Sequence, residues 1–168
     1  MIKSVVKPSV TLLKDINVLK VFTEDELAKL IFRGVNRAFE AHTNIIIESE
    51  LSWGLYLLLE GTVGIFKTNK FTGDSYDIGQ LQNGSFFGEM SLVDENSRSA
   101  SVRALTDCHL FYISKDSFLE FLNESADLKL RFYETCTRVL VTRLREVGDN
   151  YVVSQYQLWK NALKKEAS

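Results

Sequence analysis

Several residue types are scarce in this chain. One proline and nine glycines among 168 residues exclude a collagen-like or low-complexity protein. The longest uninterrupted apolar run, Leu55 to Leu59, has five residues and is too short to cross a bilayer. The first eight residues, Met1 to Pro8, lack the long apolar run and the small-residue cleavage site of a secretory signal. We therefore expect a cytoplasmic protein that does not enter the membrane.

Cysteine and histidine are almost as rare. Cys108 and Cys136 are too few for a disulfide framework and are not a C-x-x-C pair, so we expect small buried side chains. His42 and His109 belong to no cluster with metal-ligand spacing, which predicts no metal site. Ser/His/Asp and Cys/His constellations are absent as well. The chain is therefore not expected to be an enzyme.

An excess of positive charge is also missing. The formal net charge is −2 and the pI is near 5.8, whereas a general nucleic-acid binder usually has a basic stripe. Only 17 residues follow Tyr151, too few for a helix-turn-helix domain. We expect no direct DNA binding.

What is present, 45% hydrophobic and 25% charged residues, is typical of a globular protein. The patterns divide the chain into an N-terminal helical segment (1–34), a β-roll core (35–114) and C-terminal helices (115–168). Thr23 and Glu26 have capping-box spacing, and the helix that they begin is expected to end at Arg33-Gly34. An earlier short helix is predicted around Leu12.

Six short apolar or alternating runs, separated by turn signals, predict strands. They are Asn44–Glu48, Leu55–Glu60, Thr62–Thr68, Tyr76–Leu81, Ala100–Leu105 and His109–Ile113. Evenly spaced short strands are typical of a sandwich or jelly roll and not of alternating β-α units. We therefore predict a mainly β fold with flanking helices.

A short helix containing Phe118 and a long helix beginning near Ser125 are predicted after the strands. Apolar positions on the long helix recur in alternating steps of three and four residues, which is coiled-coil spacing. They are Leu130, Tyr133, Leu140, Leu144, Val147, Tyr151 and Leu158, with Thr137 and Ser154 filling two places. This stripe predicts a homodimer; the alternative is packing against the chain's own β-domain. Gly148 is a candidate weak point.

The most informative segments are Phe87-Gly88-Glu89-Met90-Ser91-Leu92 and Arg98-Ser99-Ala100-Ser101-Val102. Gly88 lets the backbone come close to a ligand, and a helical turn at Glu89 would direct free amides towards an anion. Arg98, at the start of an apolar strand, needs a planar anionic partner such as phosphate. A carboxylate beside a bound anion suits the acceptance of a hydrogen bond from a hydroxyl group.

These segments closely resemble the phosphate-binding cassette of cyclic-nucleotide-binding domains, including those of catabolite-activator-like regulators. The family pattern is F-G-E-hydrophobic-small-L, a spacer, and R-small-A-small-V. The run from Leu55 to Val63 also looks like the family's paired strands. The resemblance implies a double-stranded β-helix (jelly-roll) fold with N-terminal helices and a long C-terminal helix, and no catalytic activity.

The resemblance also implies roles for individual residues. Arg98 would bind the cyclic phosphate with support from the amides of Glu89 to Ser91, and the Glu89 carboxylate would accept the ribose 2′-hydroxyl. Ser99 could reach both the phosphate and the purine. The implied ligand-binding set is Phe87, Gly88, Glu89, Met90, Ser91, Arg98, Ser99 and Ala100, with Thr142 and Arg143 as candidates to touch the purine.

Each assignment has a structural alternative. Arg98 could form a salt bridge with Glu89 or Asp94, and Glu89 could cap the short helix. Ser99 could be an ordinary strand serine, and Thr142 and Arg143 could lie on exposed helix surface. Val63 and Ile65 could wall the pocket or pack in the core.

The chain departs from the family pattern at two places. Glu50-Leu51-Ser52-Trp53-Gly54 replaces a common glycine-aspartate pair, and Ser97 replaces a proline before the arginine. Ser99 is compatible with cGMP, but bacterial cAMP-binding members also carry serine there, so we favour cAMP. The predicted function is a cyclic-nucleotide sensor that relays binding through its C-terminal helices to an unknown protein partner. The alternatives are a nucleotide-insensitive dimeric scaffold and a different small ligand.

Overall fold

The β region of the chain forms two four-stranded antiparallel sheets, as a computed structural model shows. The structure describes residues 8–52, 54–93 and 96–166, excluding the side chains of Leu158 and of residues 161–166. The strands are β1 (Val35–Phe39), β2 (Asn44–Ile46), β3 (Gly54–Glu60), β4 (Thr62–Thr68), β5 (Ser75–Gln82), β6 (Phe86–Phe87), β7 (Ser101–Ala104) and β8 (Cys108–Ser114). Their order is β1-β8-β3-β6 in one sheet and β2-β7-β4-β5 in the other.

Helices precede, interrupt and follow the strands. They are α1 (Val10–Lys14), α2 (Glu24–Ile31), α3 (Met90–Val93), α4 (Lys115–Leu122) and α5 (Ala126–Glu166), with a 3₁₀ turn at Asn17–Leu19. This arrangement confirms the predicted mainly β fold with flanking helices. The chain divides into two compact units, Met1–Phe132 and Tyr133–Ser168.

Two strands of the first sheet were not among the predicted runs. β1 has no buried residue, so its sequence carries no alternation that would distinguish it from a loop. It is held by five residue pairs with β8, from Val35 opposite Tyr112 to Phe39 opposite Cys108. β6 has only two residues and pairs with Tyr56 and Leu57 of β3.

The core between the sheets consists of apolar side chains that alternate along the strands. Because successive strand residues point to opposite faces, Tyr56 and Leu58 of β3 share one face with Cys108 and Leu110 of β8. The rest of this cluster is Ile46, Val63, Phe87, Val102 and Ala104. Residues 54–59 are buried on both faces of β3, and α4 contacts β3 and β8.

The helical part of the first unit is held by a cap, aromatic rings and ion pairs. Thr23 and Glu26 form the predicted capping box, although α2 ends at Ile31, before Arg33-Gly34. The Phe22 and Phe121 rings meet edge to face, 5.5 Å apart. Arg131 in the first turns of α5 binds Glu26 at 2.6 Å and also donates to the Val21 carbonyl. Glu124 binds both Arg33 (2.6 Å) and Lys29 (3.0 Å).

At the tip of the β4–β5 hairpin, backbone groups form hydrogen bonds within the turn itself. The Asn69 amide donates to the Asp74 carbonyl and the Gly73 amide to the Asn69 carbonyl, both at 2.8 Å. The Asn69 side chain accepts from the Phe71 amide at 2.8 Å. Gly73 has a φ of 78°, and a Cβ built there would meet no atom within 4 Å.

The long helix α5 continues through Gly148, so this glycine does not interrupt it. A glycine lowers the stability of a helix by about 1 kcal/mol relative to alanine. A helix of 41 residues tolerates this small loss. Large apolar side chains are exposed along the part in the second unit: Val141, Leu144, Val147, Tyr151, Val152, Val153, Tyr156 and Trp159. None of the helices within the described residues combines the length and the apolar composition that a membrane span requires.

Candidate functional site

The candidate site centres on Arg98, which lies between α3 and β7 and is only 6% exposed. Its backbone is fixed first: the Arg98 amide donates to the Glu50 carbonyl (3.0 Å), and its carbonyl accepts from the Ser49 amide (2.9 Å). The turn that makes both contacts is strained, because Ser49 has a φ of 69°. Residues 49 and 50, which precede β3, therefore fix the backbone from which the Arg98 side chain extends.

Among the residues that the structure describes, the Arg98 guanidinium makes four hydrogen bonds, all to neutral acceptors. The Nε donates to Ser52 Oγ (3.1 Å) and Nη2 to the Gly54 carbonyl (3.2 Å). The Nη1 donates to Ser91 Oγ (3.2 Å) and to the Gly88 carbonyl (3.3 Å). These bonds orient the side chain, but within the described ranges they supply no negative charge to balance it.

The electrostatics of Arg98 follow from this environment. Burial lowers the pKa of Arg98, because it penalises the cation, while Tyr56, Tyr112, Glu89 and Glu50 act in the opposite direction. Among the described residues, no carboxylate lies within ion-pair distance of the guanidinium, so the alternative of a salt bridge with Glu89 is wrong. The other proposed partner, Asp94, lies outside the described residues.

Gly88 brings the backbone against the arginine. It has a φ of 83°, and a Cβ there would lie 2.5 Å from the Gly54 carbonyl oxygen and 2.8 Å from Arg98 Nη1. Both the left-handed conformation and the close approach require glycine. The structure therefore gives a local steric reason for this residue in the motif.

Ser91 connects three parts of the site. Its buried hydroxyl donates to the Gly88 carbonyl at 2.8 Å and accepts from Arg98 Nη1 at 3.2 Å. It also accepts from the Gly54 amide at 3.4 Å. Gly54 thus binds Ser91 through its amide and Arg98 through its carbonyl.

Glu89 is buried, with 6% exposure, immediately before α3. Its carbonyl accepts the Leu92 amide at 2.9 Å, which closes the single helical turn. The acidic side chain, the glycine and the arginine of the motif therefore lie in one buried region. Met90 begins α3 and is half exposed.

The remaining motif residues flank this centre. Ser99 is exposed, and its hydroxyl donates to the Met90 sulfur at 3.4 Å; Ala100 is half-buried. Phe87 is buried and stacks on the Tyr56 ring, with centroids 5.2 Å apart.

Thr142 and Arg143 lie on α5 in the second unit, where the Thr142 hydroxyl donates to the Arg138 carbonyl at 3.1 Å. Their contact with the purine stays a prediction.

Sequence analysis missed three groups at the site. Ser52 Oγ and the Gly54 carbonyl accept from Arg98, and the Ser49–Glu50 turn holds its backbone. The departure from the family pattern at 50–54 marks this segment, but only the fold shows that it supplies hydrogen-bond partners.

A separate depression of about 340 Å³ between Glu60 and His109 shares no lining residue with the Arg98 site.

Comparison with known proteins identifies the family. The model described as "Cyclic nucleotide-binding domain" matches residues 36–125, more than half of the chain. This chain belongs to the cyclic nucleotide-binding domain family. The match includes the whole Phe87–Val102 motif, which accounts for the glycine, the acidic residue and the arginine found together in the fold.

Individual proteins are similar to this chain in sequence or in fold. Hyperpolarization-activated cyclic nucleotide-gated channel 4 of Oryctolagus cuniculus is 35% identical over 128 residues, which are 76% of this chain but 10% of the channel. A cyclic nucleotide-binding domain from Methylobacillus flagellatus superposes with a TM-score of 0.77 at 23% identity, covering 89% of this chain and 87% of that one. The regulatory domain of Toxoplasma gondii PKA, solved with cAMP, has a TM-score of 0.67 at 21% identity, covering 77% and 48%. The chain thus matches only about a tenth of the channel's length.

Within 8–52, 54–93 and 96–166, no group of three or more His, Cys, Asp or Glu side chains is arranged to hold a metal ion. Polar and charged groups around Arg98 suit an anionic organic ligand that also carries hydroxyl groups.

Proposed function

We propose that this chain is a non-catalytic sensor of a cyclic nucleotide, with cAMP preferred over cGMP. The carrying observation is Arg98, a buried cation that is oriented by four hydrogen bonds to neutral acceptors. A buried charge without a counterion is costly, and a cyclic phosphate supplies one negative charge with two exocyclic oxygens. Cyclic-nucleotide-binding domains are ligand-binding modules, which supports a regulatory role.

In this proposal each motif residue has a separate task. Arg98 binds the exocyclic phosphate oxygens, and the amides from Glu89 to Ser91 support the same group. The Glu89 carboxylate accepts the ribose 2′-hydroxyl and so selects ribonucleotides. Phe87, Gly88, Met90 and Ala100 shape the cavity by packing and close approach.

The preference for cAMP has two supports. The Toxoplasma domain with the same fold was solved with cAMP. In addition, Ser99 is the residue found at this position in bacterial members that bind cAMP. Its exposed hydroxyl is bound only weakly, by a methionine sulfur, so it is available to a purine or a phosphate.

Ligand binding acts on a partner protein through the C-terminal helices. A nucleotide shifts their arrangement only if it binds two arrangements with different affinity. Thr142 and Arg143 on α5 are the residues that we propose to contact the purine and so to supply this difference. The apolar stripe of α5, which includes Leu144, Val147 and Tyr151, supplies the homodimer contact, and a cytoplasmic location stays a prediction.

Calorimetric titration with cAMP and cGMP tests the ligand. Arg98→Ala removes a charge-assisted contact and is expected to weaken binding by about 1.5–3 kcal/mol. Arg103→Ala is the matched control, because Arg103 lies on the strand β7 that follows Arg98 but is exposed and binds Asn44 at 3.1 Å. Absence of heat and of a thermal shift with either nucleotide at millimolar concentration would reject the proposal.

One observation favours a second function, a nucleotide-insensitive dimeric scaffold. The Arg98 hydrogen bonds are already made within the protein, so the fold does not require a ligand to orient the side chain. In that case partner capture is the same with and without added cAMP, and Arg98→Ala affects only stability. A partner that is recovered only in the presence of cAMP excludes the scaffold function.

A further inference from the structure

An ion pair next to the cassette contacts the backbone that carries Arg98. Lys67 Nζ, at the end of β4, lies 2.6 Å from Glu48 Oε1, and it also donates to the Ser99 carbonyl. Ser99 directly follows Arg98, so the ammonium group holds the peptide on the C-terminal side of the arginine. The family motif does not include either member of this pair.

Glu48 ties the same region together from the other side. Its carboxylate accepts the Thr68 amide at 2.9 Å, and its own amide donates to Ser101 Oγ at 2.9 Å. The side chain is only 12% exposed. Bonds from Lys67 and the Thr68 amide hold the pKa of Glu48 below its ordinary value, so this carboxylate is charged at neutral pH.

The two next residues complete the arrangement. The Ser49 amide and the Glu50 carbonyl bind the backbone of Arg98 at 2.9 and 3.0 Å. Residues 48–50 therefore run alongside residues 98–101, and Lys67 bridges the two segments. Fixing a binding residue before the ligand arrives raises affinity, because less conformational entropy is lost on binding.

We propose that Lys67 and Glu48 form a positioning pair that fixes the Arg98–Ser99 backbone for cyclic-nucleotide binding. This inference rests on the proposed function. The pair acts through the backbone of Arg98 and does not need to touch the ligand. Its net charge is zero, so its effect is distinct from long-range attraction of the phosphate.

Four variants test the pair by titration with cAMP: Lys67→Met, Lys67→Arg, Glu48→Gln and Lys14→Met. We expect Lys67→Met and Glu48→Gln each to weaken cAMP binding about fivefold or more, and Lys67→Arg to retain most of the affinity. Lys14→Met is the matched control, since Lys14 also lies 2.6 Å from a glutamate, Glu24, but in the N-terminal helices. It should bind cAMP like the unaltered protein.

Glu48→Gln separates positioning from simple electrostatics. If Lys67 acted only by its charge, removal of the neighbouring carboxylate would strengthen phosphate binding. If it acts by holding the backbone, the same variant weakens binding. Stronger binding by Glu48→Gln, or unchanged binding by both Glu48→Gln and Lys67→Met, overturns the proposal.

Amide hydrogen exchange on the ligand-free protein provides a second readout, which does not depend on nucleotide binding. In Lys67→Met the amides of Ser49 and Arg98 should exchange at least tenfold faster than in Lys14→Met, while the core amide of Leu57 is unchanged. Equal protection in the two variants overturns the pair. Lack of cAMP and cGMP binding by the unaltered protein instead rejects the proposed function.

Discussion

Gly88 and Arg98 approach so closely that a Cβ on Gly88 would lie 2.8 Å from the guanidinium Nη1. The same Cβ would lie 2.5 Å from the Gly54 carbonyl oxygen, which accepts from Arg98 Nη2. The Gly88 backbone, the Gly54 carbonyl and the Arg98 guanidinium are thus packed so closely that not even a methyl group fits on Gly88. Any side chain at position 88 must displace the arginine or the start of β3.

Gly88→Ala should therefore damage both stability and ligand binding. The left-handed conformation alone costs an alanine about 1–2 kcal/mol, and the contacts with Gly54 and Arg98 add to that cost. We expect a fall in cAMP affinity of more than about tenfold, measured by calorimetry, because Arg98 must move. Gly73→Ala is the control, since Gly73 has a φ of 78° but open space around it. Equal effects of the two substitutions on stability and affinity would contradict this explanation.

Ser91→Ala should destabilise the protein without creating a large cavity. The substitution removes the acceptor for Arg98 and the Gly54 amide and the donor to the Gly88 carbonyl. Because these buried groups lose their partners, we expect the free energy of unfolding to fall by about 2 kcal/mol. Urea denaturation measures this change. Ser52→Ala, which removes only the half-buried acceptor for Arg98 Nε, should cost less. The reverse order of the two variants would show that Ser91 is not the central acceptor.

Glu26 should make the free energy of unfolding decrease with falling pH in the acidic range. Burial would raise its pKa, but hydrogen bonds from Arg131 and the Thr23 amide outweigh burial, so the pKa lies below its ordinary value. A carboxyl group with a lowered folded-state pKa stabilises fully above its unfolded pKa, about 4.3, and loses this contribution as pH falls through the folded value.

The substitution Glu26→Gln keeps an acceptor for the Thr23 amide and removes the charge facing Arg131. At pH 7 we expect a loss of about 1 kcal/mol in the free energy of unfolding. The difference from the unaltered protein should shrink as the pH falls below about 4. Urea denaturation at several pH values measures it. A difference that stays constant down to acid pH would exclude the ion pair as its source.

Leu144→Asp tests the homodimer that the α5 stripe predicts. Leu144 is 71% exposed and occupies a position in the three-and-four spacing. Aspartate there places a charge in an apolar seam, so we expect sedimentation velocity to show a dimer for the unaltered protein and a monomer for this variant. Val152→Asp, also exposed but outside the stripe, should leave the dimer intact. A dimer that survives Leu144→Asp and dissociates with Val152→Asp would assign the contact to another face.

Features with a local cause could be predicted from the sequence. The capping box needs only Thr23 and Glu26 at the right spacing, and it is present. The strands β3 and β4 carry their own apolar pattern, with a glycine at the turn between them, and both form where predicted. They are not paired with each other as the resemblance implied, because β3 pairs with β6 and β8 while β4 pairs with β5 and β7. A shared site for Gly88 and Arg98 could be predicted because a single family motif contains both residues. The predicted close approach at Gly88 was to a ligand, however, and the contact with Arg98 itself was not predicted.

Features that depend on contacts between distant segments could not be predicted. Ser52 and Gly54 bind Arg98 across 46 and 44 residues of sequence, and nothing in their own neighbourhood indicates that role. β1 lacks a buried face, so only its pairing with β8 makes it a strand. The ion pair of Lys67 and Glu48 also joins two segments, and surface charges of this kind are too common in sequences to stand out.

The self-contained hairpin between β4 and β5 has a practical use. Because the turn from Asn69 to Asp74 closes its own hydrogen bonds and leaves Gly73 in open space, a foreign domain can be inserted there without unpairing the sheet. Its two ends continue into β4 and β5, the first of which carries Lys67. A circularly permuted fluorescent protein inserted at this tip would therefore follow closely after Lys67, which contacts the cassette at the Ser99 carbonyl. This makes the hairpin a suitable place to build an optical reporter.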